Sequence, residues 1–308
     1  MRRELTRGTV IIVLISVAAV PGAVCWLLLG AWWAVAGIIG GPPAALVIYA
    51  TVRAYTDPEP GALLDDHEPY RALTQLHQGL PVWRTLARVW PGRFREPLAQ
   101  NLLVQAEALQ ALGRTGQALA PAAEAVAIWQ DLAAGRPARF TAGLAEAAAR
   151  RAGVLAAAGQ QAQAAAAMGE AARLYRDLAV PGTGGKYLAD LADSLTSQAA
   201  WLTDMGRDGE ALAAIGEAVS LQDRLPHAAL PQSAARALLL DGALLTGQGR
   251  HHEAVRVLAR GWHLAAGRRD LLAAAVPALR AAYRADQSAF IAVWHTETGG
   301  EPPTWLTS

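Results

Sequence analysis

The sequence is short of the residues that most chemistries need. It holds one cysteine, Cys25, in 308 residues. That excludes an intramolecular disulfide framework and a cysteine-rich metal site. It holds one lysine, Lys186, among 27 Lys+Arg. It lacks an excess of either charge, since those 27 face 26 Asp+Glu. Leaving out residues 1–53, with Arg2, Arg3, Arg7, Arg53 and Glu4, leaves 23 basic and 25 acidic side chains. Such a balance makes no field for a phosphate backbone, so nucleic acid is not an expected partner. Aromatic residues are only 6% although hydrophobic residues are 53%, and alanine, with 70 residues, fills the difference. Apolar side chain is ample for a packed core, which excludes bulk disorder.

Charge is missing altogether from residues 8–52. A helix crosses the hydrocarbon core with about 20 residues, so this stretch suffices for two spans. The simplest division is Thr9–Leu29 and Trp32–Val52, with a tight turn at Gly30-Ala31. Trp26, Trp32 and Trp33 then fall near the turn, and Tyr49 and Tyr55 at the other interface. Gly37 and Gly41 form a small-xxx-small pair that permits close packing, and Pro42-Pro43 kinks the second span. Arg2, Arg3, Arg7 and Arg53 flank the hairpin, so the positive-inside rule places both ends in the cytoplasm. A cleaved signal peptide is the competing reading. The apolar stretch is much longer than an h-region and no small-residue cleavage site follows a short one. Cys25 is then an inert thiol in lipid. Asp57-Pro58-Glu59-Pro60-Gly61 reads as a juxtamembrane linker.

Beyond the linker the sequence repeats. Gly113, Gly159, Gly206 and Gly249 are spaced by 46, 47 and 43 residues. Seven positions before each stands a very small residue: Ala106, Ala152, Ala199, Gly242. Five after each stands Ala118, Ala164, Ala211 or Ala254. Nine after stands Ala122, Met168, Ile215 or Leu258. Eleven after stand Glu124, Glu170, Glu217 and then Arg260; twelve after stand Ala125, Ala171, Ala218 and then Gly261. Nineteen before stand Phe94, Phe140, Tyr187 and Leu230. Leu98, Leu102, Ala106 and Leu109 recur at the helical period, as do Leu191, Leu195, Ala199 and Leu202. The pattern predicts antiparallel helix pairs, with the glycine as a left-handed turn and the small residues at the crossing. Alanine, the best helix former, suits that crossing.

This frame resembles the tetratricopeptide repeat (TPR), which has a small residue in its first helix, glycine seven later, and alanine five and twelve beyond. Gly261 departs from it. The repeat length is longer than the usual 34 and is similar to the variety of about 42 in kinesin light chains and in many actinobacterial proteins. The resemblance covers residues 67–267. It implies an all-α, right-handed α-solenoid, preceded here by the two-helix transmembrane hairpin. It also implies a non-catalytic scaffold or adaptor that binds a protein or peptide.

The ends of the array read separately. Forty-six residues before Gly113 stands His67. Residues 69–88 look like an orphan second helix whose partner gave way to the linker and hairpin. Asp270–Tyr283 and Ser288–Trp294 read as capping helices, which a solenoid needs on its apolar terminal faces. Pro277 is expected to kink or divide the first. Glu301–Leu306 is too proline-rich for helix, with Trp305 and Leu306 folding back onto the last helix. The resulting division is a tail over 1–7, the hairpin over 8–53, a linker over 54–66, the array over 67–267 and capping helices with a tail over 268–308.

No catalytic constellation emerges. Pro181-Gly182-Thr183-Gly184-Gly185-Lys186-Tyr187 resembles a phosphate loop, but Val180 replaces the first glycine and Tyr187 the magnesium-binding Ser or Thr. It reads as an inter-repeat loop. His251-His252-Glu253 is the only histidine cluster, and neighbouring helical histidines point about 100° apart, so they do not chelate together. Glu124, Glu170 and Glu217 recur once per repeat, which points to surface pairing. Trp83, Trp129 and Tyr175 share one register and read as inter-repeat core. No cofactor or metal is expected.

By the resemblance, exposed positions of the first helices form the binding groove. Those are Gln100, Leu103, Glu107 and Gln110 in the first unit, Glu146 in the second, Asp193, Thr196 and Thr203 in the third, and Arg236 and Leu239 in the fourth. The Lys/Asn/Arg clamp of chaperone-binding TPRs is missing. Glu107, Glu146 and Asp193 make the groove mildly acidic, suited to a helix or extended peptide with apolar and basic residues. The expected function is a scaffold at the cytoplasmic face of a bacterial membrane. An extracytoplasmic role in envelope assembly or secretion, and a nucleotide-binding or enzymatic role, are the alternatives. Partner identity and oligomeric state are not written in the sequence.

Overall fold

A computed structural model describes residues 60–65, 67–179, 185–225 and 231–307. The expected hairpin over 8–53 and the phosphate-loop lookalike at 181–184 lie outside the described residues. Among the described residues no helix is long and apolar enough to cross a membrane. Thirteen helices are present among them: α1 Pro60–Asp65, α2 Pro69–Val89, α3 Pro91–Ala111, α4 Thr115–Gly135, α5 Pro137–Ala157, α6 Gln161–Leu178, α7 Lys186–Asp204, α8 Asp208–Gln222, α9 Pro231–Gly247, α10 His251–Leu264, α11 Arg269–Ala285, α12 Gln287–Thr298 and α13 Thr304–Thr307. The result is an all-helical repeat solenoid. The four units are α3/α4, α5/α6, α7/α8 and α9/α10, and first helices of successive units touch, α3 with α5 and α7 with α9.

Each unit turns on its register glycine. Gly113, Gly159, Gly206 and Gly249 have φ of 72°, 77°, 71° and 75°. The amide of the next residue donates back five positions: Arg114 to Leu109, Gln160 to Leu155, Arg207 to Leu202, Arg250 to Leu245. The glycine amide itself donates to Gln110, Ala156, Thr203 or Thr246. These two bonds satisfy carbonyls that a helix end leaves without partners, and the left-handed residue between them favours glycine. The small residues pack where the pair crosses: Ala106, Ala152, Ala199 and their partners Ala118, Ala164 and Ala211 are almost wholly buried. The two departures from alanine have a steric cause. A Cβ on Gly242 would lie 2.4 Å from Cγ of Leu258, and one on Gly261 would lie 3.0 Å from Cβ of Leu238.

The helix before the first unit is not an orphan. His67 adopts φ 59°, the only non-glycine residue with positive φ among those described. Its amide donates to Leu64 and that of Glu68 to Leu63, the same two bonds that end α3, α5, α7 and α9. So α1 ends as the first helices do, and it lies inside the stretch read as linker. Leu63 packs with Ala72 of α2 and Ala108 of α3.

Rings join one unit to the next. Sixteen residues after the register stand Trp83, Trp129 and Tyr175, and they meet Phe94, Phe140 and Tyr187 at 6.1, 6.1 and 6.5 Å between centroids. Such contacts contribute about 1 kcal/mol beyond the area they bury. In the next unit the corresponding residue is Gln222, and Leu230, at the register of the second ring, lies outside the described residues.

Helices α11 and α12 close the far end. Phe290 and Trp294 are almost wholly buried and stack at 5.6 Å, and Trp262 of α10 meets Trp294 at 6.3 Å. Asp286 caps α12 by accepting from the Ala289 amide at 2.9 Å. Pro277 does not divide its helix, and the tail is not wholly without helix. Pro277 sits inside an unbroken α11. It and Ala273, whose carbonyl it frees, are both exposed, so that carbonyl is open to solvent. Residues 304–307 form the short helix α13, because proline restricts the residue before it and not the turn after it. Trp305 packs on Trp262 of α10 at 5.9 Å and Leu306 is buried in the same cluster.

Candidate functional site

The first helices of units one and two enclose a cleft of about 370 Å³. Gln100 and Leu103 of α3 form one wall, with Glu146 and Arg150 of α5 opposite and the Trp129 ring of α4 among the lining groups. Gly143 explains how the ring reaches there. A Cβ at 143 would lie 2.4 Å from Cζ3 of Trp129, so only glycine lets the indole lie against α5.

Ion pairs fix the walls. Arg139 donates to Glu96 at 2.9 Å across the two units. Arg150 donates to Glu146 at 2.7 Å within α5 and also reaches Glu107 of α3. Glu96 and Glu107 are eleven residues apart, as are Arg139 and Arg150, so two equivalent bridges repeat after three helical turns. Burial draws the Arg150 guanidinium down, but Glu107 and Glu146 outweigh it and hold the group above its ordinary value. The cleft is therefore not the acidic surface expected from Glu107 and Glu146. Both carboxylates are engaged by an arginine that the groove frame did not include.

Other expected groove residues are placed differently. Leu103, Thr196 and Leu239 are buried. Leu103 lines the cleft from within the core, while the Thr196 hydroxyl turns back to donate to the Ala192 carbonyl at 2.8 Å. Leu239 belongs to the core cluster beside Gly261. Gln100, Glu146 and Arg236 are exposed; Glu107, Gln110, Asp193 and Thr203 are half-buried. The Thr203 hydroxyl donates to Ala199 at 2.9 Å. Asp193 of α7 faces Ser233 and Arg236 of α9; burial raises its carboxyl above the ordinary value, against the hydrogen bond from Ser233 and the Arg236 charge. The ten positions thus do not make one continuous strip. Gln100, Leu103 and Glu146 meet at the cleft, and Glu107 joins them through Arg150. The groove frame missed Glu96, Arg139, Gly143 and Arg150. Their signal was two Glu–Arg pairs with a common separation of 43 residues.

A second cleft of about 480 Å³ opens between α2, α3 and α4, lined by His77, Gln78, Gln105, Arg114 and Gln117 among others. Among the described residues no group of three His, Cys, Asp or Glu side chains converges as a metal site. The Glu253 carboxylate, next to His251 and His252 in sequence, accepts from Arg250 at 2.6 Å.

The fold has clear counterparts. BtubC (BKLC) from P. vanneervenii superposes with a TM-score of 0.54 at 19% identity, over 76% of this chain and 94% of that one. The nearly identical TPR-like repeats of a kinesin-light-chain-type protein from Podosopora anserina superpose at 0.51 and 16% identity, over 68% of this chain and 94% of theirs. No family model matches the chain, and no curated protein sequence matches it. The fold is a TPR-like repeat array of the kinesin-light-chain kind.

Proposed function

We propose that this chain is a non-catalytic scaffold that holds a protein or peptide partner along its first helices, at the cytoplasmic face of a bacterial membrane. TPR-like arrays present such surfaces, and protein interaction is the function the fold supports. The observation that carries the reading is the cleft between α3 and α5. Its ring, apolar wall and exposed Gln100 and Glu146 offer contacts, while inter-unit ion pairs hold its shape before a partner arrives. A preformed site loses less ordering entropy on binding. An extended segment with one apolar side chain for the Trp129 ring and an amide or hydroxyl group for Gln100 fits it. The membrane anchor rests on the charge-free stretch 8–52 and its flanking arginines, and the cytoplasmic orientation on the positive-inside rule. The array over 67–267 and the cap over 268–308 then form the presented module.

The test is mild crosslinking in the native membrane, purification of the full chain and mass spectrometry, with Gln100→Trp as the control. Gln100 is exposed and lies in the cleft, so a bulky ring there fills the site and leaves the ion pairs alone. Charge reversal at Glu107 or Glu146 is a poorer control, because either change leaves Arg150 facing a second cation. A partner held by the natural chain and lost by Gln100→Trp supports the cleft. A partner held equally by both excludes it.

A further inference from the structure

Two of the four large apolar side chains exposed among the described residues are neighbours, Val89 at 50% and Trp90 at 40%. They stand at the corner where α2 ends and α3 begins. Trp90 rests one edge against Phe94, at 6.3 Å between centroids. Around it the sequence is basic: Arg88 and Arg93 flank the pair, and Arg136 stands at the equivalent corner of the next unit. All three are exposed, and none pairs with an acid among the described residues. Arg93 has only the Phe94 ring, 5.8 Å from its guanidinium carbon. The acids on this edge are already engaged, Asp131 by Arg95 and Glu96 by Arg139. The corner thus projects a tryptophan and a valine among three uncompensated positive charges. It is a protruding turn and belongs to neither cleft, which disfavours an extended peptide as its occupant.

We propose that this corner docks on the anionic surface of the bilayer that anchors the chain. The proposal rests on the anchored reading above. Tryptophan beside arginine is the composition that settles at a headgroup interface, where the ring is half-buried in acyl chain and the cation meets phosphate. Chain length allows the contact. Only residues 54–59 separate Arg53 from α1, and six residues span at most about 20 Å. Helix α2, with 21 residues, is about 31 Å long. The six residues of α1 run back along it from the α1–α2 turn, by about 9 Å. The remaining distance to the Trp90 corner is about 22 Å along α2, slightly more than that tether, so the contact requires α2 to lean toward the bilayer. So short a tether also keeps the corner at high effective concentration over the bilayer. Docking would hold the array at a fixed tilt, with the α3/α5 cleft at a set height above the lipid.

The test uses the full chain carrying Cys25→Ser, with an NBD fluorophore attached after Val89→Cys. It is reconstituted into vesicles of phosphatidylcholine with phosphatidylglycerol, or phosphatidylcholine alone, each containing a shallow nitroxide lipid. A label attached after Gln117→Cys, exposed at the α3–α4 turn, is the reference. Docking predicts at least a twofold excess of quenching at 89 over 117 in the anionic vesicles. It predicts loss of that excess in phosphatidylcholine alone and in a chain carrying Arg88→Glu, Arg93→Glu and Arg136→Glu. Equal quenching at 89 and 117 in a chain that resists carbonate extraction overturns docking and leaves the anchor standing. Quenching that follows protein density and ignores lipid charge assigns the corner to a second copy and also overturns it. If carbonate extracts the chain, the anchored reading fails. Salt-sensitive quenching at 89 would then still support docking, and its absence would overturn both.

Discussion

Arg260 and Asp223 pair at 2.8 Å between units three and four, where Arg176 and Glu217 pair at 2.8 Å between units two and three with the signs exchanged. Asp223 stands at the register of Arg176 and Arg260 at that of Glu217. Arg84 and Glu124 make the same contact at the start of the array, at 2.6 Å. The arginine that breaks the glutamate repeat is therefore matched by an aspartate one unit earlier. The contact is kept although the residues change.

That relationship predicts rescue. Asp223→Arg sets two cations together and is expected to lower stability by about 0.2–1 kcal/mol, the range for exposed pairs. Adding Arg260→Glu should restore most of it by recreating the arrangement of the preceding interface. Urea unfolding of the four chains in a double-mutant cycle measures the coupling, and a coupling of zero would refute the pairing.

His67 is expected to be improved by glycine. A side chain in the left-handed region costs about 1 kcal/mol, and His67→Gly relieves it. The gain should appear as slower amide exchange at Glu68, which donates across that turn. Gly113→Ala and Gly159→Ala should lose about 1–2 kcal/mol for the mirror reason.

Two glycines of α5 should respond oppositely. Alanine ordinarily stabilises a helix interior by about 1 kcal/mol relative to glycine. Gly153 has nothing within 4 Å of its would-be Cβ, so Gly153→Ala should raise the melting temperature. At Gly143 the added carbon meets the Trp129 ring, and Gly143→Ala should cost about 1–3 kcal/mol and close part of the cleft. Thermal unfolding of both variants decides, and a gain at Gly143 would show that the ring can move aside.

The same glycines show what the sequence could and could not reveal. The four register glycines carry a backbone demand, and a backbone demand recurs at fixed spacing. So do the rings at Trp83, Trp129 and Tyr175. The helix pairs and their order were legible for that reason. Gly143 answers to Trp129, Gly242 to Leu258 and Ala254, and Gly261 to Leu238 and Leu239, and such particular contacts leave no period. The groove frame failed similarly. It took in a register that faces the core: Leu103, Thr196 and Leu239, each ten residues before a register glycine, are buried, while Gln100, Glu146 and Arg236, each thirteen before, are exposed. Arg150 went unseen because it is four residues from one glutamate and 43 from another, and only packing brings all three together.

Asp241 predicts a pH effect. Burial raises its carboxyl above the ordinary value, with Arg250 opposing and Glu253 adding to the rise. A folded value above the unfolded one means that the native chain binds more protons between the two, so stability falls as pH rises through that window. The penalty is fully present above the folded value and gone below the unfolded one, about 4. Asp241→Asn should therefore melt higher than the natural chain at neutral pH and no higher at pH below about 4. A gain independent of pH would assign the effect to packing.

Orientation can be decided by protease. Arg114 and Arg207 lie exposed at turns between helices, where trypsin finds both a cleavable bond and a backbone able to leave its helix. A cytoplasmic array is expected to survive trypsin applied to intact spheroplasts and to be cut within the same exposure in inverted vesicles. The flanking arginines are the sole basis for that orientation, so they supply the matching variant. Arg2→Glu, Arg3→Glu, Arg7→Glu and Arg53→Glu together should weaken the bias and let a fraction of the chains be cut from outside. Cutting of the natural chain in intact spheroplasts, with a cytoplasmic marker spared, would place the array outside and transfer the scaffold to the envelope. The cleft and its ion pairs would be unchanged, but its partner would then have to be an exported protein.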